Sequence, residues 1–436
     1  MRAAAKKEKR GNRAKGKAIR YLALASLLAV TAGCSAGAEG SRHSSAYAAE
    51  DADPKLAASM NDFALDFYAV LEQHPGEEEP GPNRMVSPAG LTMALSMLKG
   101  GAEGATAAEM EKALRLNGIS GDALDEGQMI LSDLLRGSDP SVRMEIANSL
   151  WSRKGFALNP DYAQRMKKRY GAEIRELDFS ADKAVRTLND WASARTHGKI
   201  TKVAEGPISG DMLLLLMNAM YFKGDWSEPF EKSLTANLPF RTNDGQRIEV
   251  PTMRQSGSYA YLDGDGFEAI RLPYGESENF GMILALPDKG SSLREFLHDQ
   301  LPKFGEWSGQ LERRPGSVEL PRFKLEDKLK LKEALIALGM PSAFDAQKEE
   351  LGGLFAPDGA PAENLHLSFV DQKTFIDVGE EGSEAAAVTA LGVSGSSEPV
   401  SEPFELKLNR PFFFAITDRT TGLIVFMGEV GNPAES

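Results

Sequence analysis

The chain has 436 residues, 42% hydrophobic and 26% charged, with a formal net charge of −13 and one cysteine, Cys34. A chain of this size and composition can bury a substantial core, and a single cysteine excludes an intrachain disulfide framework. The charge is uneven: residues 1–33 hold nine of the 50 Lys and Arg residues and one of the 63 acids, Glu8, so the remaining 41 basic residues face 62 acidic ones and that part carries about −21. No basic stripe remains there to displace counterions from a phosphate backbone, which sets nucleic acid aside as a partner.

The basic start runs to Arg20 and is followed by an apolar run of about ten residues, Tyr21 to Val30, too short to span a bilayer as a helix. Thr31-Ala32-Gly33-Cys34 comes next. A cationic start, a short apolar segment and small residues at its end describe an export signal. A cysteine directly after Ala32-Gly33 resembles a bacterial lipobox. That resemblance implies cleavage after Gly33, lipidation of Cys34 and attachment to the outer face of the cell membrane. The lipobox usually carries Leu three residues before the cysteine, where this chain has Thr31; a plain secretory signal with an incidental cysteine is the alternative. Both readings put the mature protein outside the cytoplasm. Residues 35–54, rich in Ser, Ala and Gly and without hydrophobic periodicity, read as a flexible tether. The expected organisation is a signal peptide over 1–33, a tether over 34–54 and one domain over 55–436.

Within that domain, Met60, Phe63, Phe67 and Leu71 recur at helical spacing and predict an amphipathic helix over Leu56 to Leu71. Met85 to Pro88 reads as a short strand and turn, and Ala89 to Lys99 as a second helix stopped by Gly100-Gly101. Thr106 with Glu109 three residues on predicts a capping box for the next helix. Leu213 to Phe222 is a nearly unbroken apolar run, the pattern of a strand buried on both faces. Further strands are expected at Phe240–Arg241, Tyr259–Leu262, Ala269–Leu272, Met282–Leu286, Ser317–Leu325 and Phe412–Thr417. Helices first and strands later predict an α+β domain with a large mixed sheet.

Four stretches stand out: Asn83-Arg84-Met85-Val86-Ser87-Pro88 with Gly101-Ala102-Glu103-Gly104-Ala105-Thr106; Asn218-Ala219-Met220-Tyr221-Phe222-Lys223-Gly224-Asp225-Trp226; Glu380 to Thr389; and Pro411-Phe412-Phe413-Phe414 through Phe426 to Pro433. In order and spacing these resemble the serpin family, and weaker matches such as Asn148-Ser149-Leu150-Trp151 extend the similarity over 55–436. The resemblance implies an α+β fold with a large central mixed sheet, further sheets, helices packed around them and an exposed reactive-centre loop. It implies a monomeric suicide inhibitor of serine or cysteine proteases, with the protease as covalent partner, and not an enzyme. In that family the protease cleaves the loop and forms an acyl-enzyme. The loop then inserts into the sheet, and the tethered protease is distorted before it can hydrolyse the ester.

The stretch resembling the loop's hinge is Glu380, Glu381, Gly382, Ser383, Glu384, Ala385, Ala386, Ala387, Val388 and Thr389. As a strand it would put Ser383, Ala385, Ala387 and Thr389 on one face, all small and uncharged, so burial would not overpack the sheet. Glu384 would fall on the opposite face. Roughly a dozen newly paired residues at about 1 kcal/mol each would make insertion favourable by about 10 kcal/mol, so the native form would be a kinetic trap. Read alone, this stretch is also what a short capped helix or solvated linker looks like. Ser87, Asn218, Trp226 and Gln372 correspond to the region where the family's sheet opens. Many members carry a histidine ten residues before the hinge glycine; here Gln372 holds that place, and its amide can donate and accept.

Counting about fourteen residues on from Gly382 puts the scissile bond at Ser396–Ser397, whereas counting back from Pro411 suggests Val400; Val393 and Ser394 are further candidates. All are small, and no Lys or Arg lies between Lys373 and Lys407. Trypsin-like proteases are therefore disfavoured, and elastase-like or subtilisin-like ones favoured. A non-inhibitory serpin acting as a binding or scaffold protein is the main alternative. The five histidines fall in no H-E-x-x-H motif, and no G-x-S-x-G turn occurs, so a hydrolase has little support. No cofactor and no metal site is expected.

Overall fold

Two proline-initiated helices open the described chain, each held by a side-chain cap. In helix α1, Pro54–Gln73, Asp53 accepts from the Lys55 amide at 2.8 Å, and Leu56, Met60, Phe63, Phe67 and Leu71 are buried on one stripe. Strand β1, Asn83–Val86, leads into α2, Pro88–Lys99, capped by Ser87 and buried from Pro88 to Leu98. The computed structural model describes residues 44–74, 81–209, 212–348, 350–356, 366–368, 370–383 and 402–435. Cys34, the hinge positions Glu384, Ala385, Ala386, Ala387, Val388 and Thr389, and the scissile-bond candidates Val393, Ser394, Ser396, Ser397 and Val400 lie outside the described residues.

The chain continues through α3 (Gly104–Ala113), α4 (Gly121–Gly137), β2 (Val142–Arg153), α5 (Pro160–Tyr170), β3 (Glu173–Leu177), α6 (Lys183–Arg195) and β4 (Leu214–Asp225). The strand-rich half holds β5 (Ala236–Arg241), β6 (Arg247–Asp263), β7 (Phe267–Pro273), β8 (Phe280–Pro287), α7 (Leu293–Asp299), α8 (Phe304–Ser308), β9 (Glu312–Pro321) and β10 (Phe323–Lys330). Last come α9 (Lys332–Ala337), β11 (Val370–Gly379), β12 (Gly382–Ser383), β13 (Phe404–Lys407), β14 (Phe412–Asp418) and β15 (Ile424–Val430). Six strands form a central mixed sheet in the order β10-β11-β12-β4-β2-β3. Nine form a second sheet, β1-β15-β14-β8-β7-β6-β9-β13, with β5 on β6.

The nearly unbroken apolar run in β4, interrupted only by Asn218 between Leu214 and Phe222, follows from its place at the middle of the central sheet. Leu214, Leu216, Met220 and Phe222 face the main core, shared with α1, α2 and the second sheet. Leu215, Met217, Ala219 and Tyr221 face a smaller core with Trp151, Leu188 and Trp191 under α6. Both faces are dry, so period-2 alternation is absent.

Three expectations are corrected. Ser317–Leu325 is not one strand: the chain turns at Arg322, β9 joins the second sheet and β10 the central one. Pro321 has no amide to continue the ladder, and the Arg322 amide donates to the Pro251 carbonyl at 2.8 Å instead. Thr106 is not a cap: α3 starts at Gly104, the Thr106 amide donates to Glu350 at 2.6 Å, and Glu109 accepts from Ser342. The tether does not run loose to residue 54, because the Ser45 hydroxyl and the Ala46 amide both donate to Asp133 of α4 at 2.7 Å.

A buried charge cluster ties α1 to both sheets. Arg84 of β1, 6% exposed, pairs with Glu72 at the end of α1 and lies 3.7 Å from Glu429 of β15, while the Met85 amide donates to Asp327 of β10 at 2.9 Å. Burial, reinforced by the neighbouring Glu72 charge, pushes the Glu429 carboxyl well above its ordinary value, and Arg84 only partly opposes this. The folded protein thus holds a proton that the unfolded chain releases near 4.5. This stabilisation is complete below that value and is lost as the pH rises above it. We expect the urea midpoint to fall between about pH 5 and pH 8, and Glu429→Gln to flatten the fall; a midpoint just as steep in the variant would contradict the assignment.

Candidate functional site

β4 and β11 are bonded to each other along only part of their length. Val370 to Phe375 pair in parallel with Leu216 to Tyr221. Beyond that point the strands part around β12: Gly382 pairs with Gly379 and Asp225, and Ser383 with Val378 and Gly224. Past the Glu380-Glu381 turn, the next two residues of the chain leaving β11 are thus already seated as a strand between β11 and β4.

That seat is built by residues far apart in sequence. Gly382 has φ +149°, and a Cβ there would stand 2.1 Å from the Gly224 carbonyl oxygen, so no side chain fits. Ser383, fully buried, shares a hydrogen bond of 2.7 Å with the Tyr274 hydroxyl. Burial pushes the Tyr274 hydroxyl up, and the bond to Ser383 opposes this only in part, so the group stays protonated. Trp226 stacks on Tyr274 with centroids 4.2 Å apart, and its indole N–H donates to the Gly379 carbonyl at 2.9 Å. The Trp226 and Phe230 amides take the Glu381 and Glu380 carbonyls, each at 2.8 Å.

The turn between β11 and β12 is anchored by its acids. Glu380 accepts from Arg322 Nε at 2.8 Å and from the Thr235 hydroxyl at 2.6 Å, and Glu381 pairs with Lys232. Burial would raise the Glu380 carboxyl, but the bonds from Arg322 and Thr235 outweigh it and hold the group below its usual range.

Lower in the sheet a row of amides crosses three strands. Asn148, Asn218 and Gln372 are register partners on β2, β4 and β11. Asn218 Nδ2 donates to Asn148 Oδ1, and Gln372 Nε2 to Asn218 Oδ1, both at 2.9 Å. Gln372 also accepts from the Ser87 amide at 2.7 Å and donates to the Ser87 carbonyl at 2.8 Å, while the Ser87 hydroxyl reaches the Val425 carbonyl at 2.7 Å. Gly90 of α2 presses on this row; a Cβ there would lie 2.6 Å from Asn218 Oδ1.

Of the four residues expected where the sheet opens, Ser87, Asn218 and Gln372 form this one network, whereas Trp226 sits at the other end, against Gly379 to Glu381. Sequence reasoning missed Tyr274, Arg322, Thr235 and Lys232 as site residues. Tyr274 ends Leu272-Pro273-Tyr274, a further weak match to the serpin family, but nothing local to the other three marks them. Among the described residues no cluster of His, Cys, Asp and Glu could hold a metal ion, and no helix is long and apolar enough to cross a membrane.

A two-sheet α+β domain whose central sheet is parted at one end by the start of a loop is the architecture of a serpin. A family model for serpins, described as serine protease inhibitors, matches residues 58–433, and the chain belongs to that family. Human leukocyte elastase inhibitor is 32% identical over 393 residues, covering 87% of this chain and all of that protein. An uncharacterized serpin-like protein of Thermococcus kodakarensis is also 32% identical, over 86% of this chain and 85% of its own. The crystal structure of tengpin, a thermophilic serpin in its native state, superposes with a TM-score of 0.78 at 29% identity, covering 87% of this chain and 95% of its own.

Gln372→Ala would leave the Ser87 amide and carbonyl and the Asn218 side-chain oxygen without the partner they share. We expect a loss on the order of 3 kcal/mol in urea unfolding; an unchanged midpoint would mean the row carries no load. Gly382→Ala should drive β12 out of the sheet and speed limited proteolysis around residue 383. Gly379→Ala, where a Cβ meets nothing within 4 Å, should not; equal behaviour of the two variants would contradict the steric account.

Proposed function

We propose that the protein is an inhibitory serpin of the extracytoplasmic space, which traps a serine protease covalently by inserting its cleaved loop between β11 and β4. The observation that carries this reading is the pairing of Gly382 and Ser383 at the parted end of the sheet. A strand entering there would meet free edges on both sides only after the six direct β11–β4 rungs give way. On this reading the protease serine attacks the scissile carbonyl, the new amino terminus leaves, and the ester links the two proteins. Residues after Ser383 then zip downward, carrying the enzyme with them.

The outcome is a race between insertion and ester hydrolysis, in which about 1.4 kcal/mol on either barrier shifts the ratio tenfold. The small uncharged side chains of Ala385, Ala387 and Thr389 support the inhibitory reading over a non-inhibitory binding role, since each can be buried in the sheet at little cost. The small residues from Val393 to Val400, and the elastase inhibitors among the relatives, support an elastase-like or subtilisin-like target. Ser396–Ser397 is the proposed scissile bond. Cys34 is the proposed lipid attachment site, holding the inhibitor at the outer membrane face with the chain from 55 onward as the working domain. The acyl-enzyme route extends in principle to papain-like cysteine proteases through a thioester.

Incubation with pancreatic elastase or subtilisin should give an adduct that survives boiling in detergent; clean cleavage with no adduct would favour the non-inhibitory alternative. Ala385→Asp should turn the inhibitor into a substrate, because insertion would bury an unpaired carboxylate at several kcal/mol, and an undiminished adduct yield would contradict the hinge assignment. Ser396→Arg should bring trypsin into the target range; otherwise the bond cleaved lies elsewhere.

A further inference from the structure

On the α6 side of the central sheet lies a pocket of about 430 Å³, well away from β12. Its floor is apolar: Leu188 of α6, Val203 of the following loop, and Leu215 and Met217 of β4. That volume falls within the range of small-molecule sites. The rim carries Lys328 and Lys330 of β10 and Lys332 of α9, met by Glu205, Glu333 and Asp371.

The charges balance overall but not locally. Lys330 stands opposite Asp371 across the β10–β11 pair, whereas Lys328 stands opposite Lys373, a like charge on the same face. Lys373 is already engaged, with Glu326 and the Lys202 carbonyl each at 2.8 Å. The half-buried Lys328 ammonium makes no ion pair or hydrogen bond with any described residue. A cation with no partner among the described residues, at the lip of an apolar pocket, suits an anionic head on an apolar body. From this charge complementarity and the size of the floor we infer that the pocket binds a single-chain fatty carboxylate, with its head on Lys328 and its chain on Leu188, Leu215 and Met217.

The walls of this pocket belong to both strands that the proposed mechanism separates. Leu216 pairs with Val370, and Met217 with Asp371. A strand entering between them would move the β4 wall away from the β10–β11 wall by about 4.8 Å. The fatty carboxylate therefore binds the closed sheet and loses its site in the inserted one, and its binding favours the closed form by the factor 1 + [L]/Kd. This consequence rests on the insertion mechanism proposed above; the binding site itself does not.

Dodecanoate is the probe, titrated below its micelle concentration into the intact protein and followed by calorimetry with no protease present. We expect one saturable site, weakened at least tenfold by Lys328→Glu and by Ile208→Trp, which fills the mouth from a half-exposed lining position. Dodecyltrimethylammonium, the same chain with the opposite charge, should not compete. Absence of saturable dodecanoate binding, equal binding by both variants, or competition by the cation would overturn the site. With elastase added at saturating dodecanoate, the moles of inhibitor consumed per mole of enzyme should rise severalfold. An unchanged ratio with demonstrated binding would overturn the coupling and leave the inhibitory reading standing, whereas absence of any adduct with binding intact would count against that reading alone.

Discussion

β4 and β11 are hydrogen-bonded to each other over six residues and held apart by two residues of β12 beyond them. Every other feature of the central sheet bears on how firmly those six rungs stay closed. The amide row of Asn148, Asn218 and Gln372 lies across the closed part, and its partners, Ser87 included, are buried. Such a network is stabilising while complete and costly when broken in part, because each orphaned group loses water as well as its partner. The closed arrangement is therefore fixed by a set of polar contacts that holds or fails together, added to the six backbone rungs and the apolar packing.

The parted end is organised differently. There the contacts are aromatic stacking and charge pairing: Trp226 on Tyr274, Glu380 with Arg322 and Thr235, Glu381 with Lys232. They grip the turn that precedes β12 and aim it into the mouth between the strands. Gly382 completes the arrangement, since only a residue without a side chain can approach the Gly224 carbonyl so closely. On the proposed mechanism the two ends divide the labour, one aiming the incoming segment and the other resisting its advance.

Long-period patterns were legible in the sequence wherever burial is one-sided or complete. The stripe of α1 and the apolar run of β4 follow directly from what each face touches. β2 was not legible as a strand because it carries the buried polar residues Asn148, Ser149 and Ser152 among its apolar ones, which blurs the alternation. The break at Arg322 was marked in the sequence only by a one-residue slip of the alternation, from Val318 and Leu320 to Phe323 and Leu325, which a bulge within one strand would give as well. Gln372 could be read as a hydrogen-bonding residue from its chemistry, but its partners could not, since Ser87 lies 285 positions away. Arg322, Thr235 and Lys232 carry no local mark at all; they matter only because the second sheet brings them beside the β11–β12 turn.

On the proposed mechanism, both the direct β11–β4 pairing and the early seating of Gly382 and Ser383 belong to a sheet that gains by accepting a strand. The most direct measurement is the denaturation midpoint of the protein before and after a single cut between residues 393 and 400. If the intact form is metastable, the cut protein gains a full central strand and its midpoint rises by more than about 10 °C. An equal or lower midpoint after the cut would mean that the closed sheet is already the more stable state, and the account would be wrong.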